Sequence, residues 1–352
     1  MVTTTAHITG FGIATPEDVA QDALWEGFFA RHFAEAPAAG RVFRSARVRR
    51  RHAVVNPLVE DVSSWSTGAR MRRYAREAPS LGRRAVAAAL ADAGLRPEEV
   101  GMVVVASCTG YTTPGLDIRV TADLGMSPDV QRLLIGHMGC YAAIPGIGAV
   151  ADFVVARRKA AVLLCLELTS LHLQPATGSL DQAVAHSLFS DAAAAVVVRP
   201  DPVGERGGLA IVDLAALTDP AGADHMSWHV TDLGFRMGLS PRVPDVLSRH
   251  VAPMITGLLA RHGLTAADVD AWAVHPGGPR ILEVVGEGLG LPDAALAESR
   301  RVLAEHGNCS SATVLLVLRA LRRGGRPGAG RRGGVMAFGP GLTLYAALVR
   351  AT

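Results

Sequence analysis

Long apolar runs, paired cysteines and lysine are what this chain lacks. No stretch reaches the roughly 18 uninterrupted apolar residues that a membrane-crossing helix needs. The best one, Cys140 to Ala151, is broken by Pro145, Gly146 and Gly148 and stopped by Asp152. Met1 to Thr5 carry no basic stretch leading into an apolar core, so no secretory signal is expected. The four cysteines, Cys108, Cys140, Cys165 and Cys309, include no CxxC pair. Free thiols in a reducing cytoplasm, with no metal site, are the expectation. Lys159 is the only lysine among 35 basic residues, which leaves Schiff-base chemistry a single amine. Net charge is only +3, and no nucleic-acid-binding motif accompanies the arginines.

What remains is the composition of a large folded core. Hydrophobic residues make up 49% of the 352 and charged residues 19%, which excludes a disordered or low-complexity chain. The length suits two domains or one large α/β unit. Short apolar runs alternate with amphipathic segments. Strands are expected at 6–13, 103–108, 133–138, 160–168 and 193–198, with helices at 80–93 and from the Gly139-Cys140 turn to about Arg158. Continuous apolar strands between helices predict a sheet covered on both faces. The pattern restarts after 200–208: strands at 209–214 and 270–274, helices at 244–261 and 312–323, and terminal strands at 334–338 and 342–350. This predicts duplicated α/β halves, 1–203 and 204–352. The Gly/Arg/Pro stretch 324–334 reads as a solvated loop.

Three residues stand where chemistry is done. Cys140 lies in Gly-His-Met-Gly-Cys-Tyr-Ala-Ala, between a strand and a helix. Gly139 permits a sharp turn, and the positive end of a helix dipole favours thiolate. His275 ends a strand and enters the rigid loop Pro-Gly-Gly-Pro. Asn308, in Gly-Asn-Cys-Ser-Ser-Ala, precedes a helix. Taken singly, each has a simpler reading: a small buried thiol, a core imidazole, an N-cap.

Together with their surroundings they are specific. The chain resembles the type III polyketide synthases, the chalcone-synthase-like branch of thiolase-fold condensing enzymes. The matching stretches are Thr109–Asp117 (TGYTTPGLD), Met138–Ala143 (MGCYAA), Glu167–Ser170 (ELTS), Leu188–Val198 (LFSDAAAAVVV), His275–Ile281 (HPGGPRI), Gly307–Ala312 (GNCSSA) and Phe338–Thr343 (FGPGLT). Cys, His and Asn occur in the family's order. The resemblance implies an α/β thiolase-like fold in a layered αβαβα arrangement. It implies an acyltransferase that joins an acyl starter to malonyl-CoA-derived units by decarboxylative Claisen condensation and cyclises the polyketide to a resorcinol- or pyrone-type product. Cys140 would be the nucleophile, with His275 and Asn308 stabilising negative charge on a thioester oxygen.

The resemblance carries further expectations. Phe189 matches the gatekeeper between the CoA tunnel and the cavity. The cavity would be lined by Cys108, Thr109, Thr113, Glu167, Thr169, His172 and Met237, with Phe338, Gly339 and Pro340 at its floor. His172 would narrow the cavity or bond a polyketide oxygen. The residue at Thr113 reaches across a homodimer interface in relatives. Arg44, Arg47 and Arg50, within the cluster that also holds Arg49 and Arg51, would meet CoA phosphates or an acyl carrier protein. CoA thioesters are substrates, and no cofactor is implied. Two places depart from the family: Ser190-Asp191-Ala192 stands for Gly-Asp-Gly, and Tyr345 stands where Glu is usual. The alternatives are a stand-alone ketosynthase-like enzyme acting on carrier-bound chains without iteration, and a silent scaffold subunit. All three reactive residues are present, which argues against the scaffold.

Overall fold

A computed structural model of the chain describes residues 4–201 and 207–352. The expected join at 203/204 falls outside the described residues. Among the described residues, nine strands form one hydrogen-bonded ladder in the order β11-β12-β13-β8-β1-β7-β6-β4-β5. They are β1 (Ala6–Ala14), β4 (Val100–Ala106), β5 (Gln131–Ile135), β6 (Ala160–Glu167), β7 (Ala192–Pro200), β8 (Leu209–Thr218), β11 (Ala271–Val274), β12 (Arg332–Gly339) and β13 (Thr343–Ala351). The short pair β2 (Asp18–Ala20) and β3 (Arg50–His52) and the hairpin β9 (Met226–Thr231) and β10 (Gly234–Leu239) stand apart.

The ladder has two halves. β5, β4, β6, β7 and β1 form the first, and β8, β13, β12 and β11 the second. Among the described residues, only His7 with Ala210 and Ile8 with Leu209 pair across the join. The helices are α1 (Gln21–Leu24), α2 (Ala30–His32), α3 (Ala39–Ser45), α4 (Thr67–Ala93), α5 (Leu116–Asp123), α6 (Ala143–Arg157), α7 (Leu180–Leu188), α8 (Val243–Ala260), α9 (Pro279–Leu289), α10 (Ala297–His306) and α11 (Thr313–Arg323).

Buried side chains define five layers, as expected. Ile147 and Val150 of α6 and Leu315 and Leu318 of α11 pack between the halves, against Leu163 and Val196 on one side and Val335 and Ala347 on the other. On the outer face of the first half, Ala85 and Ala89 of α4 cover Val105, Leu164 and Val197. On the outer face of the second, Leu247 and Leu282 of α8 and α9 cover Trp272, Met336 and Leu348. Strand β6 is buried along its whole length, so both faces must be apolar, and its sequence AAVLLCLE shows why. Gly12 of β1 lets α4 lie directly on the sheet: a Cβ there would fall 1.9 Å from the Ala85 carbonyl. The helix apolar enough to cross a membrane, Gly139–Arg157, is 67% buried in this central layer.

Two expectations are corrected. The helix expected at 80–93 begins at Thr67, capped by Ser66, whose side chain accepts from the Ala69 N–H. Pro79 sits inside it and made the sequence look broken. The stretch 324–334 is not all loop, because Arg332–Gly334 already belong to β12. Gly333 and Gly334 are buried there, and a Cβ on Gly334 would lie 2.5 Å from the Trp272 ring.

Candidate active site

Two of the three candidate side chains, Cys140 and His275, follow a strand, and Asn308 follows the end of α10. After β5, His137 (φ 61°) and Gly139 (φ 73°) take left-handed conformations and swing the chain into a short 3-10 turn, Gly139–Tyr141, ahead of α6. A Cβ at 139 would meet Pro340 Cδ at 2.7 Å, so glycine serves the turn twice. Cys140 is thereby buried, and its thiol donates to Ser310 Oγ at 3.6 Å. His275 follows β11, its N–H bonded to the Met336 carbonyl and its ring edge-on to Phe338 at 6.1 Å. It is 1% exposed, and among the described residues neither ring nitrogen has a partner. Asn308 is held by its backbone: its N–H donates to Leu188 O at 2.8 Å, and its carbonyl accepts from Ser190 N at 3.0 Å. Its side-chain Oδ1 accepts from Ser310 N at 2.9 Å. That leaves the NH₂ end of the amide as the group available to the cavity, within hydrogen-bonding reach of Cys140.

All three line one cavity of about 490 Å³, with an apolar wall that includes Leu180, Val184, Leu239, Val243 and Ile281. Burial pushes the Cys140 thiol up to about 12, against the hydrogen bond to Ser310. Burial drives His275 down to about 3. The thiolate expected from the helix dipole is therefore not the resting form, because loss of solvent outweighs the dipole. Burial opposes either charge alone. A proton passed from Cys140 to His275 makes both charges at once, and opposite charges in a low-dielectric cavity attract.

Phe189 stands at the end of α7, paired with Asn308 across an isolated bridge. It lines the large cavity and also a second chamber of about 30 Å³ formed with Cys108, Thr109, Thr169, Trp228, Met237 and Pro340. Cys140 and Met237 also face both. The expected cavity residues Cys108, Thr109, Thr169, Met237, Phe338 and Pro340 are brought together here. Gly339 packs beneath, where a Cβ would come 2.9 Å from the Tyr141 ring and 3.3 Å from Cys140 N.

Other expected positions lie elsewhere. Glu167 is buried behind the chamber, accepting from Cys108 N at 3.0 Å, Thr109 Oγ1 at 2.8 Å and Ser311 Oγ at 2.6 Å. Burial raises its carboxyl against those donors. His172 has both nitrogens occupied: Nε2 donates to the Thr109 carbonyl at 2.7 Å, and Nδ1 accepts from Phe235 N at 2.9 Å. It holds β10 against the chamber wall and has no bond left for a substrate oxygen. Thr113 is exposed and lines neither chamber. Arg44, Arg47 and Arg50 line neither chamber either. Arg50 is paired with Asp18 at 3.1 Å, while Arg44 and Arg47 are exposed at the end of α3, which reaches the cavity through Val42.

The sequence reading missed Ser310, Trp228 and Arg280. Ser310 touches both Cys140 and Cys108, the latter at 3.7 Å, and takes φ 48°. Its place inside GNCSSA was the available signal. Trp228 donates from Nε1 to the Cys108 carbonyl at 2.9 Å. Arg280 lines the large cavity near its mouth, tied to Glu283 at 2.9 Å.

Residues 2–202 match the N-terminal domain of chalcone and stilbene synthases, and residues 214–352 match the C-terminal domain. The chain belongs to this family. A 1,3,6,8-tetrahydroxynaphthalene synthase of Streptomyces peucetius subsp. caesius is 37% identical over 313 residues, covering 88% of this chain and 82% of that one. An alpha-pyrone synthesis polyketide synthase-like protein of Mycobacterium tuberculosis, Pks18, is 32% identical over 356 residues, 97% of this chain and 90% of that one. Among solved structures, PKS-I of the brown alga Ectocarpus siliculosus superposes with a TM-score of 0.93 at 30% identity, over 100% of both chains. The tetrahydroxynaphthalene synthase of Streptomyces coelicolor A3(2) gives 0.92 at 30% identity, over 98% of this chain and 99% of that one. This type III polyketide synthase has the thiolase-like α/β fold, and it is an acyltransferase that condenses acyl-CoA with malonyl-CoA.

Proposed function

We propose that Cys140, His275 and Asn308 carry this condensation. The observation behind the reading is their convergence on one apolar cavity, with both His275 nitrogens and the Asn308 amide NH₂ unspent. Cys140 gives its proton to His275, and the thiolate attacks the acyl-CoA carbonyl. The C–S bond to CoA breaks, and CoA leaves as a thiol with the proton from His275. Malonyl-CoA then loses its carboxylate as CO₂. The bonding pair moves onto the thioester oxygen, where N–H groups of His275 and Asn308 meet it. The resulting enolate attacks acyl-Cys140 and releases the thiolate. Repetition lengthens the chain, and ring closure releases it.

For the starter we propose an aliphatic acyl thioester, giving a pyrone- or resorcinol-type product. The apolar wall of the 490 Å³ cavity favours it, at about 0.8 kcal/mol for each buried methylene. The Mycobacterium relative named for alpha-pyrone synthesis supports the same reading. A second reading uses malonyl units alone and forms a hydroxylated naphthalene, which the 37% identical Streptomyces relative favours. Steady-state comparison of acetyl-, hexanoyl-, dodecanoyl- and malonyl-CoA as starters, with mass analysis of products, separates them. Preference for hexanoyl or dodecanoyl chains bears out the first; full turnover with malonyl-CoA alone overturns it.

We also propose a homodimer built on β5. All five of its residues are at least partly exposed, including Leu133 and Leu134, and Tyr111 and Ile118 are exposed nearby, around the loop that carries Thr113. An unpaired apolar edge strand is a ready pairing surface. Light scattering of an active monomer at working concentration would contradict it.

A further inference from the structure

Behind the gate lies a buried cation that the condensation chemistry does not use. Arg51, on β3, is 7% exposed. Its Nη1 donates to the carbonyls of His186 and Phe189, the latter at 3.2 Å. Its guanidinium lies over the Phe29 ring at 5.4 Å, and its Nε has no partner among the described residues. The side chain therefore spends its hydrogen bonds on one short stretch, the end of α7 and the gatekeeper itself. A guanidinium is costly to bury, and hydrogen bonds offset the cost only where its acceptors are well placed.

The same stretch holds Asn308. Leu188 O and Ser190 N clasp the Asn308 backbone on either side of Phe189. Gly307, just before Asn308, packs against the Arg51 stem, since a Cβ there would lie 3.3 Å from Arg51 Cγ. Ser190 closes the clamp from the other end. Its Oγ accepts from His52 N at 2.8 Å and donates to His52 O at 3.3 Å. A glycine, usual at this position in the resembled family, would supply neither bond. The β3 segment is itself anchored: Arg49 N donates to Ala304 O at 2.7 Å, and Asp191 Oδ2 accepts from Val54 N at 2.8 Å.

We propose that Arg51 is a positioning residue for the decarboxylative step. It holds the carbonyl of Phe189 from behind, and through residues 188–190 it fixes where the Asn308 amide points. Ser190 seats Arg51's own strand on that stretch. The proposal rests on the role given above to Asn308.

The test is a double-mutant cycle on malonyl-CoA decarboxylation, read as CO₂ release from a radiolabelled carboxyl group. Arg51→Gln should lower kcat by about 10- to 100-fold with KM within about threefold, the pattern for lost transition-state stabilisation. Arg51→Lys, which keeps the charge and one bond, should recover part of the loss. In an Asn308→Ala background, Arg51→Gln should cost nothing further, because a residue acting through Asn308 has nothing left to act on. Iodoacetamide labelling of Cys140, located by peptide mass, should match the parent in the single Arg51 variants. Additive losses, or labelling that falls in step with activity, would mean a general structural role and would overturn the proposal. If Arg51→Gln does not fold, the cycle is run with Arg51→Lys and Ser190→Gly under the same criteria. If Asn308→Ala decarboxylates like the parent, the assigned role of Asn308 fails and the proposal with it. If Asn308→Ala is impaired and the Arg51 variants are not, the proposal alone fails.

Discussion

The two sides of Phe189 are built on opposite plans. On the inner side the polar groups are spent. Glu167 accepts from four donors, His172 uses both nitrogens, and the Trp228 indole is tied to the Cys108 carbonyl, around a chamber of about 30 Å³. On the outer side they are free. His275 has neither nitrogen partnered among the described residues, and Asn308 presents its NH₂ to an apolar cavity of about 490 Å³. A buried polar group normally finds a partner, so one left open is aimed at something that arrives later. A saturated group is a strut. The distinction sorts the positions that the resemblance carried over: Glu167 and His172, taken as cavity lining, turn out to hold the wall up.

The comparison is broken most severely through the outer side. Cys140→Ala should abolish both the acyl adduct and the product, leaving Cys108 unmodified although its sulfur faces the same chamber. Burial and the nearby Glu167 carboxylate hold the Cys108 thiol well above its ordinary range. Intact-protein and peptide mass spectrometry after incubation with acyl-CoA reads this directly. An adduct on Cys108, Cys165 or Cys309 with Cys140 unmodified would reverse the assignment. Next in size is Asn308→Ala. Loss of one oxyanion donor costs roughly 10²–10³ in rate, and the loss should fall on malonyl decarboxylation more than on acyl loading. His275→Ala should impair both steps, since the proposed mechanism uses it as proton acceptor and as donor.

A smaller effect sharpens the inner side. Burial holds His172 at about 4 in the folded chain, below the ordinary 6.5. The folded form needs the neutral ring, because Nδ1 must accept from Phe235 N. With the folded value depressed, this stability is fully present above about pH 6.5 and is lost as pH falls towards 4. The window is worth about 3 kcal/mol at 1.36 kcal/mol per unit. In His172→Asn the loss of unfolding free energy between those pH values should shrink by about that amount, read by urea titration at several pH values. An unchanged loss would mean that His172 is not the strut its bonds imply.

Legibility in the sequence followed burial. Strand β6, buried throughout, and helix α6 could be read from their apolar runs, and the Cys, His and Asn motifs pointed to three side chains that share the large cavity. The hairpin β9–β10 was not legible. Its residues Trp228, His229 and Val230 are half-buried or exposed, and MSWHVT shows no clean alternation. Helix α10, ESRR-rich and mostly polar, gave a weak apolar stripe, and α4 was cut short by Pro79. The saturated state of Glu167 and His172 depends on partners 58 to 144 residues away along the chain, such as Thr109, Phe235 and Ser311, so no local pattern could show it. Motif matching picked out residues that line the two chambers; three-dimensional pairing was needed to tell saturated side chains from open ones.

The mildest prediction tests whether the inner chamber limits the product. Trp228 reaches from β9 with its indole against the chamber and its N–H on Cys108 O at 2.9 Å. At about 30 Å³ this chamber is far smaller than the 490 Å³ cavity on the other side of Phe189. Chain growth in that direction must therefore stop early unless the indole moves. Trp228→Ala removes the ring and frees one backbone carbonyl, at a cost of about 1 kcal/mol for the lost hydrogen bond. It leaves Cys140, His275 and Asn308 in place. The share of products carrying extra malonyl-derived units should rise several-fold, while decarboxylation of malonyl-CoA stays within about twofold of the parent. Chromatography with mass detection reads the first quantity and CO₂ release the second. A product spectrum identical to the parent's would mean that growth proceeds wholly on the outer side, into the apolar cavity. A parallel fall in decarboxylation would mean that the two sides of Phe189 are not separable at all.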